Sequence, residues 1–299
     1  MRLNQFLAAA GLGSRRGCET IIRDGRVALN GQRCTTLATN VQPGDQVTVD
    51  GRPVHAEANV YLLLHKPPGY VTTTSDERGR RTVFDLLPSG LPRLFHVGRL
   101  DMESEGLLLL TNDGALAQRL THPRHEIEKE YEVTLDRVFH PNDKARLLKG
   151  VFIPVEAGGP PQDSRRPGAE GREKNAARPT PDPAFPDRRG KAGAGRAASA
   201  PPAAVRHVRA RAVAVTPLGL RTVRVILRQG FKRQLRLMFF EVGYEVKTLR
   251  RIRLGPLLLG TLRAGESREL TARELVALRG ETPPARKAPP AAARPARAR

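Results

Sequence analysis

Apolar residues at the start of the chain recur with the period of an amphipathic helix. Leu3, Phe6, Leu7 and Ala10 fall at i, i+3, i+4 and i+7, one face of a 3.6-residue spiral. Ser14 offers a side-chain acceptor to cap a second helix, which carries Cys18, Ile21 and Ile22 on one side and ends at Gly25. The period then changes to two. Val27 with Leu29 and Val47 with Val49 alternate with polar neighbours, and Asn30-Gly31 and Asp50-Gly51 mark tight turns. Residues 1–56 therefore read as a small helix-then-strand module.

Strand signals dominate residues 60–155. Tyr61–Leu64 leads into a Lys66-Pro67-Pro68-Gly69 turn, and Phe95–Leu100 and Leu107–Leu110 read as buried strands around a short polar loop. Asn112-Asp113-Gly114 opens a helix containing Leu116 and Leu120. Tyr131, Val133 and Leu135 alternate with Glu130, Glu132 and Thr134, the pattern of a half-buried strand. Beyond the middle of the chain Val213, Val215, Val223, Val225 and Leu227 alternate again. Leu235, Met238, Phe239 and Val242 form a helical stripe, and Leu257–Leu259 reads as one more strand. The expected class is α+β: a small N-terminal module, then a mixed, mainly antiparallel sheet with flanking helices.

Composition breaks this picture in two places. Residues 157–204 are rich in Gly, Pro, Ala and charge and poor in large apolar residues. Such a stretch buries too little surface to offset chain entropy, so it reads as a disordered insertion. Because strands lie on both sides, it interrupts one domain, 60–282, rather than separating two. Residues 283–299 read as a disordered basic tail. Net charge is +21, and the two low-complexity segments account for nine of those charges, so the ordered parts are basic in their own right. That excess favours a polyanionic partner through phosphate neutralisation. No apolar run approaches the ~18–20 residues that span a bilayer, and Phe6–Gly13 is too short for a secretory leader. Cys18 and Cys34 lack the partners of a zinc site. A cytoplasmic monomer without disulfides, metal or cofactor is the simple expectation.

One loop carries candidate chemistry. Gly98-Arg99-Leu100-Asp101-Met102-Glu103-Ser104-Glu105-Gly106 places a carboxylate just after an apolar run, between glycines, a setting that suits a reactive group held by rigid neighbours. Most loop aspartates only stabilise turns, and on pattern alone Asp101 is no exception. Likewise Tyr131 reads as core, Arg233 and Arg236 as a solvated basic face, and Glu103 and Glu105 as solvated or turn-stabilising. His122 and His125 follow a helix end and are not expected to act as acid or base.

The motifs taken together resemble one family, the pseudouridine synthases that act on small- and large-subunit ribosomal RNA. Lys66-Pro67-Pro68-Gly69-Tyr70-Val71 resembles the first motif, and Gly79 to Pro88 its continuation. Gly98-Arg99-Leu100-Asp101 resembles the catalytic motif, Lys129-Glu130-Tyr131 the Lys-x-Tyr motif, and Gly230-Phe231-Lys232-Arg233-Gln234-Leu235-Arg236 the last one. Residues 1–56 resemble the small α-L RNA-binding domain that precedes the catalytic domain in this family. The match spans about 1–155 and 205–282. It departs at Ser104, where the family usually has threonine, and at Gln229 and Leu237, where acidic and basic residues are usual.

The resemblance implies that Asp101 is the catalytic residue, as nucleophile or as base at the sugar; both remain open. It implies that Tyr131 packs against the target base and that Arg236 pairs with Asp101, with Arg233 as the rival. Arg99 and Lys129 complete the expected substrate-binding set, and Arg15, Arg16, Arg23 and Arg26 are the expected RNA contacts of the N-terminal module. The partner implied is ribosomal RNA or an assembly intermediate of the ribosome. The segment Thr121 to Tyr131 is more like the large-subunit enzymes. A small-subunit substrate, a transfer-RNA substrate and a non-catalytic ribosome-assembly factor are the alternatives.

Overall fold

The computed structural model of the chain describes residues 1–156 and 205–280. The expected insertion at 157–204 and the tail at 283–299 lie outside the described residues. The chain divides into two units, Met1–Ile153 with Arg209–Arg299, and Pro154–Val208.

The N-terminal pattern produces two helices and a four-stranded sheet. Helix α1 (Leu3–Ala9) buries Leu3 and Leu7, and α2 (Arg15–Arg23) buries Cys18 and Ile22. The Ser14 side chain accepts from the Gly17 amide at 3.0 Å, closing the first turn of α2. Strands β1 (Val27–Leu29), β2 (Gln32–Cys34), β3 (Val47–Val49) and β4 (Arg52–Pro53) lie in the order β2-β1-β3-β4. Asn30 and Gly31, at φ 51° and 80°, make the β1–β2 turn. Positive φ at both central residues is what joins two right-twisted strands in two residues. The helices seal the sheet over Leu3, Leu7, Ile22, Val27, Val47 and Val49.

The remaining elements build a nine-stranded sheet. They are β5 (Tyr61–Lys66), β6 (Phe95–Val97), β7 (Glu105–Thr111), α3 (Gly114–Thr121), β8 (Lys129–Leu135), α4 (Pro141–Lys149), β9 (Val151–Glu156), β10 (Val205–Ala210), β11 (Ala214–Pro217), β12 (Thr222–Leu227), α5 (Gln234–Glu241), β13 (Val246–Leu254), β14 (Leu257–Leu258), β15 (Ser267–Glu269) and α6 (Ala272–Arg279). The order is β11-β12-β8-β13-β7-β5-β15, with β14 on β13 and β6 on β7; β9 and β10 form a separate pair. Within the nine-stranded sheet every strand pairing is antiparallel except β13 with β7, which run parallel over only Arg250↔Glu105 and Arg251↔Gly106.

The two halves of the sheet differ in how they meet water. Leu107–Leu110 are all fully buried. Leu107 and Leu109 pack with Val97, Leu116, Leu120 and Leu278, and Leu108 and Leu110 with Val83 and Leu94 on the other side. A strand covered on both faces has no need to alternate. In the other half β8 and β12 do alternate, burying Tyr131, Val133, Leu135, Val223, Val225 and Leu227. Their outer face is a ladder of ion pairs. Glu128 meets Arg228 and Arg253, and Glu130 meets Arg253 and Arg224. Glu132 takes Arg224 at 3.2 Å.

Candidate active site

The loop bearing Asp101 leaves β6 at Gly98, whose φ of 72° turns the chain sharply. Phe95–Leu100, expected as one strand, therefore stops at Val97, and Leu100 instead anchors the loop, buried at 6% exposure. The loop is held from beneath by the segment that follows β5. The Thr72 hydroxyl donates to the Leu100 carbonyl at 2.8 Å and accepts from the Leu100 amide at 3.3 Å. The Gly69 amide donates to Met102 O at 2.8 Å, and the Ser104 amide to Asp101 O at 3.0 Å, closing a turn. Lys66 Nζ donates to the carbonyls of Pro67, Met102 and Ser104, the last at 2.6 Å. Asp101 itself is half-buried.

Lys66 is completely buried, and its ammonium is met by carbonyl oxygens rather than by an ion-paired carboxylate. Burial lowers its pKa to about 8; Asp101 and Glu105 pull it up, and Arg251 pushes it further down. Register explains the company it keeps. Lys66 pairs with Gly106, Gly106 with Arg251, Arg251 with Tyr131, and Tyr131 with Val225, one row across five strands. A Cβ on Gly106 would sit 2.3 Å from the Arg251 carbonyl oxygen, so only glycine lets β7 and β13 close. Arg251 is 2% exposed; its Nε donates to Leu107 O at 2.7 Å, while Nη2 is buried without a hydrogen-bond partner among the described residues. Lys129, from the same strand as Tyr131, donates to Ile127 O at 3.0 Å. Burial, then Arg251, lowers its pKa to about 8. Tyr131 is 8% exposed.

The expected Arg236–Asp101 ion pair is not formed, nor is the rival with Arg233. Both arginines go to Glu103 instead. Arg233 Nη1 donates to the Glu103 carboxylate at 3.2 and 3.3 Å, and Arg236 Nε lies 3.5 Å from Oε2. Arg236 Nη1 donates to Val246 O at 2.8 Å, which fixes the direction of its guanidinium. Glu103, one carbon longer and two residues further round the turn, reaches the start of α5. Asp101 has no ion pair among the described residues. Glu103, expected as solvated or turn-stabilising, is exposed and also ties the loop to the start of α5, and Arg233 holds its pKa below the ordinary range. The hydroxyl of Ser104 is fully buried and makes no hydrogen bond among the described residues, so this residue acts in the loop through its main chain. Arg99 is exposed.

In the N-terminal module Arg15, Arg16, Arg23 and Arg26 are all exposed. Arg23 lies 3.7 Å from Glu19. Arg26 grips Asp50 with two nitrogens, Nε at 3.0 Å from Oδ1, and so braces the β3–β4 turn. Arg15 and Arg16 have no such partner among the described residues.

The profile of the RNA pseudouridylate synthase family matches residues 60–241. The chain belongs to that family. An S4 domain profile matches residues 1–47, over the two helices, β1 and β2. Among curated proteins, the synthase is 32% identical over 278 residues to the ribosomal large subunit pseudouridine synthase B of Bacillus subtilis, covering 93% of this chain and 95% of that one. It is 36% identical over 280 residues to an uncharacterised RNA pseudouridine synthase of Mycobacterium tuberculosis, covering 92% and 91%. A crystal structure of a pseudouridylate synthase superposes with a TM-score of 0.55 at 24% identity, over 93% of this chain and 99% of that one, and shows the shared fold.

Several residues of the synthase's site escape a reading by pattern. Thr72 gives no sequence signal beyond its place after the Lys66-Pro67-Pro68-Gly69 turn. Arg251 sits in Val246–Leu254, whose four cations among nine residues disguise a central strand. No group of His, Cys, Asp or Glu among the described residues is arranged to hold a metal. No helix there is long and apolar enough to cross a membrane.

Proposed function

We propose that this synthase converts a uridine of large-subunit ribosomal RNA to pseudouridine, with Asp101 as the catalytic residue. The observation that carries the reading is the clamped loop, in which main-chain groups on both sides of Asp101 are tied to Lys66, Gly69 and Thr72. A carboxylate on a backbone fixed in this way meets the positional demand of a reaction centre. The reaction breaks the C1′–N1 bond of uridine, turns the base, joins C5 to C1′, and moves the C5 proton away while N1 regains one. One ionised carboxylate serves, either adding to the sugar or accepting a proton from it.

In this reading a uridine in folded RNA leaves its stack to reach Asp101, and Tyr131 supplies replacement contact for the base. Arg99 and Arg233, both exposed, and Lys129 contribute positive charge toward neighbouring phosphates; Arg236 supports the loop through Glu103. Residues 1–56 form the RNA-holding domain and 60–282 the catalytic domain, interrupted at 157–204. The choice of large-subunit RNA rests on the name of the Bacillus relative and on the segment Thr121 to Tyr131. A cytoplasmic monomer without cofactor completes the proposal.

The test is a map of pseudouridines in ribosomal RNA from cells with and without the gene. One large-subunit position should lose its modification. Complementation with Asp101→Asn should leave that position as uridine while the purified variant still binds the RNA, since binding rests on Lys and Arg contacts to phosphate. Turnover within about tenfold of wild type, a change of ~1.4 kcal/mol in barrier, would sink the assignment.

A further inference from the structure

We propose that Thr72 is a positioning residue for Asp101, fixing the catalytic carboxylate through the main chain of Leu100. The proposal rests on the reading of Asp101 given above. Leu100 immediately precedes Asp101, and it is itself buried. Both of its main-chain polar groups are tied to one side chain: the Thr72 hydroxyl donates to its carbonyl at 2.8 Å and accepts from its amide at 3.3 Å. Thr72 is 2% exposed, so water does not stand in for that hydroxyl. The two bonds hold the two successive peptide planes that flank the Leu100 Cα, and the second of these planes leads directly into Asp101.

Thr72 is anchored in turn. The neighbouring Val71 accepts at its carbonyl from the Val83 amide at 3.0 Å and donates its amide to Arg81 O at 2.9 Å. Thr82 and Asp85 cap the short helical turn that follows, with the Thr82 amide donating to Asp85 at 2.7 Å. A chain of buried or closed bonds therefore runs from the 82–85 turn through Val71 and Thr72 to Leu100, and ends one residue short of the carboxylate. Lys66 and Gly69 hold the far side of the loop, at Met102 and Ser104. Removing the Thr72 hydroxyl alone frees the near side. A reacting group displaced by even an ångström loses most of its advantage, whereas RNA binding, which rests on phosphate contacts elsewhere, does not depend on these peptide planes.

The experiment compares full-length Thr72→Val, Thr72→Ser and Thr72→Ala with wild type and Asp101→Asn. The substrate is total ribosomal RNA from a strain lacking the gene, grown on C5-tritiated uridine, and tritium release is followed. Valine keeps the shape and removes the hydroxyl; serine keeps the hydroxyl. We expect Thr72→Val to lower kcat at least fivefold with KM and RNA affinity within twofold, and Thr72→Ser to exceed Thr72→Ala in kcat by at least fivefold. A smaller kcat loss, a KM that rises as much as kcat falls, or serine no better than alanine overturns the proposal. If Thr72→Val fails to fold, the serine–alanine comparison decides alone. An active Asp101→Asn would remove the catalytic reading itself; an inactive Asp101→Asn beside a normal Thr72→Val removes only the clamp.

Discussion

Lys66 does with one ammonium what a loop ordinarily needs several donors to do. Its Nζ meets three carbonyls, two of them in the Asp101 loop. Lys66→Met should strand those acceptors, each costing about 1–3 kcal/mol when buried, and lower turnover with stability. It should also change how stability depends on pH. The pKa of Lys66 falls from 10.5 in an exposed chain to about 8 in the fold. The folded state thus disfavours the charged form, and the penalty is fully present below about pH 8. It is relieved as pH rises from there toward 10.5, because the unfolded chain then binds more protons than the folded one. Denaturant melts at several pH values should show wild type gaining stability over that window relative to Lys66→Met. Equal slopes in the two proteins would mean that Lys66 is not charged and buried as described.

The elements show where pattern can be read and where it cannot. The capped helix α2, the Asn30-Gly31 turn, the four-leucine run of β7 and the alternation of β8 were legible because local chemistry and burial agree there. Strand β13 was not. Its arginines stand on both faces, so no period of two appears, and its place at the centre of the sheet comes from pairing with β8 and β7 rather than from its own composition. Arg251, its buried member, was missed for the same reason, and Glu103 because an ion pair across distant segments leaves no local mark. α4 and α6 also went unread, each burying only one leucine, Leu147 and Leu278. The Asp101 loop was legible by resemblance, whereas the bonds that hold it were not. At Gly106 the packing argument is direct. Gly106→Ala places a methyl against the Arg251 main chain and strains a φ of 112°, so unfolding free energy should fall by about 3 kcal/mol or more. Chemical denaturation measures it, and a loss under about 1 kcal/mol would mean the two strands separate easily.

At the scale of the molecule, positive charge is divided between arginines that are spent on glutamates and arginines that are not. The outer face of β8, β12 and β13 is neutralised by its ladder of pairs, while Arg15 and Arg16 on α2 have no ion pair among the described residues. Replacing both with alanine in the full chain should raise KM for long RNA and leave kcat within about twofold. If each meets one phosphate, the slope of log affinity against log salt should become shallower by roughly 1.4–1.8. An unchanged slope would move the RNA path off α2. A second prediction concerns the segment 157–204. Replacing it with about six residues, roughly three halvings of its length, should raise unfolding free energy by about 2 kcal/mol or less and preserve turnover; loss of cooperative unfolding would show a structural role.

The brevity of the parallel joint between β7 and β13 has a consequence for how such a chain can change over time. Arg251 and Leu107, bonded across that joint, are 144 positions apart in sequence, and the 157–204 segment lies inside the interval. The entropic cost of bringing two distant points of a chain together rises only with the logarithm of their separation, about 0.6 kcal/mol for each doubling. A joint that already spans so many residues is nearly indifferent to a few dozen more. Its geometry is set by Gly106 and two residue pairs, not by the length of chain it closes. Insertions and deletions between β9 and β10 are therefore close to neutral for that joint, whereas a single added carbon at Gly106 is not.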